Sequence, residues 1–155
     1  MKSIYLFAIF LALPGTLLAQ QTATRCPALP SPSDLQWQEQ AGDGFIVCKA
    51  VNDDGRRSLN VLLTSRDPGI RLDRSRRAEN GTFSGETLHW YLPELAGQDD
   101  ASIASRRITV VKLGKNQYAQ VWIDAASSEE LSRLQSLAGQ LDISAGAAYL
   151  VSSGN

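Results

Sequence analysis

The chain contains one histidine, His89, in the stretch TLHWYLPEL at residues 87–95. Imidazole is the side chain whose ordinary pKa best suits proton transfer near neutral pH, so this is the first place to look for a general base. A base also needs a carboxylate or carbonyl to orient it and a substrate proton within reach. If the stretch is a strand, alternation divides it: Leu88, Trp90 and Leu92 fall on one face, and Thr87, His89 and Tyr91 on the other. His89 and Tyr91 are therefore expected at the edge of a contact surface and not in a reactive centre. A serine hydrolase would carry the strained G-x-S-x-G elbow, and GTFSG at 81–85 has the wrong spacing.

Metal and cofactor chemistry finds no better footing. There is no His-x-x-x-His or paired-cysteine spacing for zinc. The acidic pairs Asp53-Asp54 and Asp99-Asp100 lack the alternating ligands and closing glutamate of an EF-hand loop, and Asn52-Asp53-Asp54-Gly55 reads as a turn. No glycine-rich fingerprint follows a strand and opens a helix. Accordingly no catalytic residue, metal or cofactor is assigned.

The strongest charge feature is a run of five arginines, Arg66, Arg71, Arg74, Arg76 and Arg77. Guanidinium forks suit bidentate pairing with carboxylates or phosphates. Asp67, Asp73 and Glu79 lie among them and nearly neutralise the run locally, which is the pattern of a solvated loop. Over the whole chain 15 basic residues face 16 acidic ones, a balance with no electrostatic footprint for nucleic acid or an anionic membrane.

The N-terminus speaks to compartment. Lys2 precedes an apolar run at 4–13, broken by Pro14-Gly15 before Leu17-Leu18-Ala19, the layout of a secretory signal peptide spanning 1–19. The run is shorter than the roughly 20 residues of a membrane span, so no anchor is expected after its removal. In an oxidising compartment the two cysteines, Cys26 and Cys48, are expected to pair. The short basic n-region and the absence of a larger cysteine framework favour the bacterial periplasm.

These candidates need elements to position them. Residues 20–34, with Pro27, Pro30 and Pro32, read as an extended lead-in to a single domain over 35–151. GFIVCKAV at 44–51 and SLNVLLTS at 58–65 flank the Asp54-Gly55 turn and predict a hairpin. The arginine run predicts a short strand and a loop closed by Asn80-Gly81. A second hairpin joins RRITVVKL and QYAQVWID through a Lys115-Asn116 loop, placing Ile108, Val110, Ala119, Val121 and Ile123 on a core face and Thr109, Val111, Leu113, Tyr118, Gln120 and Trp122 on the other. Then the period changes: Leu131, Leu134, Leu137, Ala138 and Leu141 form one helical stripe over about 128–141, opened by a Ser127/Glu130 capping box. The tail predicts a short strand near 148–151 or a frayed end.

The expected architecture is α+β, an antiparallel sheet of about five strands with one C-terminal helix on one face. The other face is left with Tyr118 and Trp122, joined by His89 and Tyr91, beside Arg74, Arg76 and Arg77. It is either covered by the Pro-rich segment with Trp37 or free to bind. The functional expectation is a small exported binding protein of inhibitor or immunity type, recognising another envelope or secreted protein. A cell-envelope hydrolase using His89 and an envelope assembly accessory are the alternatives.

Overall fold

A computed structural model describes residues 24–97 and 100–153, so the expected signal segment lies outside the described residues. The class is α+β with one antiparallel sheet, but the sheet has seven strands and is accompanied by three helices. In chain order these are β1 (Gln36–Gly42), β2 (Phe45–Val51), β3 (Arg57–Thr64), β4 (Arg77–Phe83), β5 (Glu86–Tyr91), α1 (Asp100–Ile103), β6 (Arg106–Gly114), β7 (Gln117–Asp124), α2 (Ser128–Gln140) and α3 (Ser144–Ser153). The spatial order is β1-β2-β3-β7-β6-β5-β4.

The strands beyond the expected five belong to the two edges. QWQEQAG in β1 and RAENGTF in β4 are polar on much of both faces and so lack clear alternation, as is usual for edge strands. Asn80-Gly81, expected as a turn, lies inside β4 opposite His89 and Leu88. The turn is instead Ser84-Gly85, both with positive φ (49° and 82°), the geometry of a type I′ two-residue hairpin loop.

Both expected hairpins form. β2 pairs with β3 around Gly55, and Gly114 pairs with Gln117 across the two-residue Lys115-Asn116 loop. In the second hairpin, however, the register shifts between Lys112 and Gly114, leaving Leu113 as an extra residue. One extra residue reverses every side chain that follows. Thr109 and Val111 therefore face inward opposite Val121 and Ala119, while Ile108, Val110 and Lys112 face outward with Trp122, Gln120 and Tyr118. The expected assignment of the β6 faces is thus corrected, and that of β7 stands.

The core lies between the inner sheet face and α2 with α3. Ile46, Cys48, Leu59, Val61, Val121 and Ile123 are fully enclosed, and Leu131, Leu134, Leu137 and Ala138 of α2 pack on them. Ser127 Oγ accepts from Glu130 N at 3.2 Å, and the Glu130 carboxylate reaches back to Ala126 N, so the helix begins as its capping signal predicts. The tail is a helix, α3, and neither a strand nor a frayed end. Asp142 accepts from Ser144 N at its start, and Gly146 lets it approach Leu63, Ile46 and the Arg25 carbonyl. A bare Gly without a Cβ makes that approach possible, and the gain is tertiary, which periodicity does not report.

The Cys26–Cys48 disulfide is present, with Cα atoms 5.7 Å apart. It holds the N-terminal segment on the helix side of the sheet. Trp37, opposite Ala50, points to that side and donates from its indole to the Pro27 carbonyl at 2.6 Å, while Arg25 stacks on Tyr149 of α3. The described part of the lead-in, residues 24–34, therefore does not cover the outer face. No helix among the described residues is long and apolar enough to cross a membrane.

Candidate functional site

On the outer face one row of directly paired residues runs across five strands: Arg77 of β4, Tyr91 of β5, Ile108 of β6, Trp122 of β7 and Asn60 of β3. Paired residues in neighbouring antiparallel strands share a face at close spacing, so Tyr91, Ile108 and Trp122 form a continuous apolar floor. Arg77 caps its end, with the guanidinium 5.9 Å from the centre of the Tyr91 ring.

A wall stands on that floor because of topology. β3 and β4 are successive in sequence but separated in the sheet by β7, β6 and β5. Their connection, residues 65–76, must cross the sheet, and it brings Ile70, Arg71, Leu72 and Asp73 over the outer side of Ile108 and Trp122. The facing wall is Leu92, Pro93 and Glu94. Together they enclose a cleft of about 240 Å³.

Arg76 builds this cleft. Its Nε donates to the Leu92 carbonyl at 3.2 Å and one terminal nitrogen to the Pro93 carbonyl at 2.9 Å, while Leu92 N donates to the Arg76 carbonyl. The side chain thereby clamps one wall to the other.

The neighbouring arginines are differently placed. The acids expected to neutralise them have other partners. The Asp67 carboxylate accepts from Gly69 N, and Asp73 accepts from Ser75 N to cap the short turn Arg74–Arg76. That backbone bond, followed by the Ser75 hydroxyl and the nearby Arg76 charge, holds the Asp73 carboxyl below its ordinary pKa. Glu79 is taken by both Nε and a terminal nitrogen of Arg107, and by Gln135 of α2. Elsewhere Arg25, Arg56, Arg106, Arg107 and Arg133 all pair with carboxylates. Arg66, Arg71, Arg74 and Arg77 have no carboxylate partner among the described residues. Asp67 and Asp73 stay within the run, bonded to its own backbone amides, and Glu79 alone of the three is drawn away, by Arg107.

Of the residues singled out from sequence, the fold brings Tyr91, Trp122, Arg76 and Arg77 together. Tyr118 lies four residues along β7 from Trp122, paired with Thr64 and Lys112 at the other end of the face. His89 lies two residues from Tyr91 and does not line the cleft. Its Nδ1 is buried without a hydrogen-bond partner, and its backbone carbonyl accepts from the Thr109 hydroxyl at 2.9 Å. No carboxylate orients the ring through Nδ1, so the arrangement that a catalytic imidazole uses is not assembled there. Among the described residues no three His, Cys, Asp or Glu side chains gather as a metal-ligand set.

Sequence reading missed Ile108, Ile70 and Leu72 in the cleft, and names Arg71 only as one of the arginine run. Strict alternation without the Leu113 bulge places Ile108 inward. Ile70 and Leu72 carry a visible signal, two apolar side chains in an otherwise charged loop. A larger depression of about 560 Å³ opens at the end of the sheet where the β1–β2 and β6–β7 turns meet the end of α3. It is lined by polar turn residues such as Asp43, Arg66 and Asn116, and gathers none of the aromatic candidates.

In comparisons with known proteins, no family model, no curated protein and no solved structure matches this chain.

Proposed function

We propose that this chain is an exported periplasmic binding protein, of inhibitor or immunity type, that recognises another envelope or secreted protein through the outer face of its sheet. The observation that carries the reading is the Tyr91-Ile108-Trp122 floor. It is an aromatic strip on the face opposite α2 and α3, framed by a crossover segment whose Arg66, Arg71 and Arg74 have no carboxylate partner among the described residues. Aromatic and arginine side chains are enriched in protein contact surfaces, where they supply apolar area and directional hydrogen bonds together. Export is supported by the signal-like 1–19 segment. A buried disulfide within the folded domain is chemistry that an oxidising compartment sustains.

The test is affinity capture from envelope extract with the purified chain and with a Tyr91→Ala/Trp122→Ala variant. Both positions are half-buried and outside the main core, so the variant is expected to fold. The expected result is a protein captured by the wild-type chain and lost from the variant. Capture of the same protein by both would show that the face is not the contact surface.

A further inference from the structure

Resting on the reading of the outer face as a protein-binding surface, we infer that its partner presents an acidic segment carrying an apolar side chain. That side chain enters the cleft over Tyr91, Ile108 and Trp122, and the flanking carboxylates pair with Arg71, Arg74 and Arg77.

The size of the cleft is the first reason. At about 240 Å³ it falls below the usual range of roughly 300–1,000 Å³ for pockets that enclose a whole small-molecule ligand. A cleft of this size with an apolar floor suits one inserted side chain, the anchor of a larger partner. Charge is the second. Arg71 lines the cleft, Arg74 lies on the same short turn as the clamping Arg76, and Arg77 caps the floor. All three are solvent-exposed and without carboxylate partners; the wall carries two exposed acids, Glu94 and Asp73, of which Asp73 is bonded as a cap to Ser75 N, so that with Arg76 four guanidinium groups face two carboxylates. The third is selectivity of commitment. The other arginines with described side chains are satisfied by carboxylates, or in Arg76 by carbonyls, so the unpaired ones are confined to the stretch 66–77. Planar forks around an apolar slot are complementary to carboxylates around an apolar side chain. A polynucleotide or membrane would call for a broad basic field, and the chain as a whole carries a formal charge of −1.

The probes are short fluorescein-labelled peptides read by anisotropy against the purified chain with its disulfide intact. One has a central Leu-Phe pair flanked by Glu and Asp; a second keeps Leu-Phe but flanks it with Lys; a third keeps the acids and replaces Leu-Phe with Ser. The first is expected to bind at least about tenfold more tightly than either control. The gap should narrow as salt rises from about 50 to about 500 mM. An Arg71→Ala/Arg74→Ala/Arg77→Ala variant with an unchanged melting temperature is expected to lose at least about tenfold in affinity, and Trp122→Ala a similar amount. Equal binding of a control peptide, full binding by the triple variant, or tighter binding of heparin or a single-stranded oligonucleotide would overturn the inference. If the peptides fail while a captured protein still depends on Tyr91 and Trp122, the acidic ligand is wrong and the protein-binding reading stands. If capture is also insensitive to those residues, both fall.

Discussion

Gly81 shows how one atom can be decisive in this sheet. The position sits in edge strand β4 opposite Leu88, and a Cβ added there would run into the pyrrole edge of the Trp90 indole. Trp90 is fully enclosed and cannot swing away. Gly81 has an ordinary negative φ, so space alone demands the glycine, and Gly81→Ala is expected to destabilise the fold by about 1–3 kcal/mol through overpacking. Urea denaturation of the variant measures this, and an unchanged midpoint would mean that the indole can shift. The aromatic cluster around His89 is resolved at the same scale. Trp90 is a core residue held against Gly81, Tyr91 is part of the outer floor, and His89 belongs to neither.

The β4–β5 hairpin and the N-terminal segment are the elements least secured by the sheet itself. Among the described residues Tyr91 with Ile108 is the single directly paired position between β5 and β6. The joint is reinforced by side chains: Thr109 donates to the His89 carbonyl, and Arg107, with only 11% of its side chain exposed, spans from β6 to Glu79 of β4. Both contacts lie on the helix side of the sheet, opposite the cleft, so the hairpin is held to β6 by groups that a sequence-local view cannot pair. Among the described residues the N-terminal segment, 24–35, has no strand partners and is held by the Cys26–Cys48 bond, the Trp37–Pro27 bond and Glu39. The disulfide closes a separation of 22 residues, for which loop-closure entropy gives roughly 3 kcal/mol. A Cys26→Ala/Cys48→Ala variant should lose about that much stability in denaturant titration at neutral pH. Because the outer floor is built from other strands, the variant should keep its partner binding wherever it remains folded.

Across the whole molecule, two carboxylates join parts distant in sequence. Burial pushes the Glu39 carboxyl up, but hydrogen bonds from Arg25 N, the Thr24 hydroxyl, Cys26 N and the Arg25 guanidinium outweigh it and hold the pKa below its ordinary value. Glu130 behaves alike: burial raises it, and Ala126 N, Arg56 and then Arg133 lower it further than burial raises it. A carboxylate with a depressed folded-state pKa stabilises the fold fully above its unfolded pKa of about 4.3, and that contribution is lost as pH falls through the folded value. Stability should therefore decline on acidification below about pH 5. Glu130→Gln should lower stability at neutral pH by roughly 0.5–1.5 kcal/mol and make the acid side of the profile shallower. Thermal melts between neutral and strongly acid pH test both, and a profile in the variant as steep as the wild type's would remove Glu130 as a contributor.

Much of the fold was legible in residues close in sequence. The Asp54-Gly55 and Lys115-Asn116 turns, the apolar alternation of β2, β3 and β7, and the leucine stripe and Ser127 cap of α2 are signals complete within one or two turns of chain, and the α+β class follows from them. Cys26 and Cys48 offered a pairing without an alternative. Edge strands β1 and β4 were not legible, because a strand with one neighbour can be polar on both faces. The Leu113 bulge was not legible either, because one unpaired residue costs little locally yet reverses a face. Of the candidate site, Tyr91, Trp122, Arg76 and Arg77 were named from sequence. Their assembly was decided by tertiary structure, which placed β4 at the far edge and sent residues 65–76 across the outer face. Which arginines stay uncommitted was decided there too, since a guanidinium pairs with whichever carboxylate the fold brings within reach, and Asp67 and Asp73 bond to backbone amides of the run while Glu79 is drawn away by Arg107.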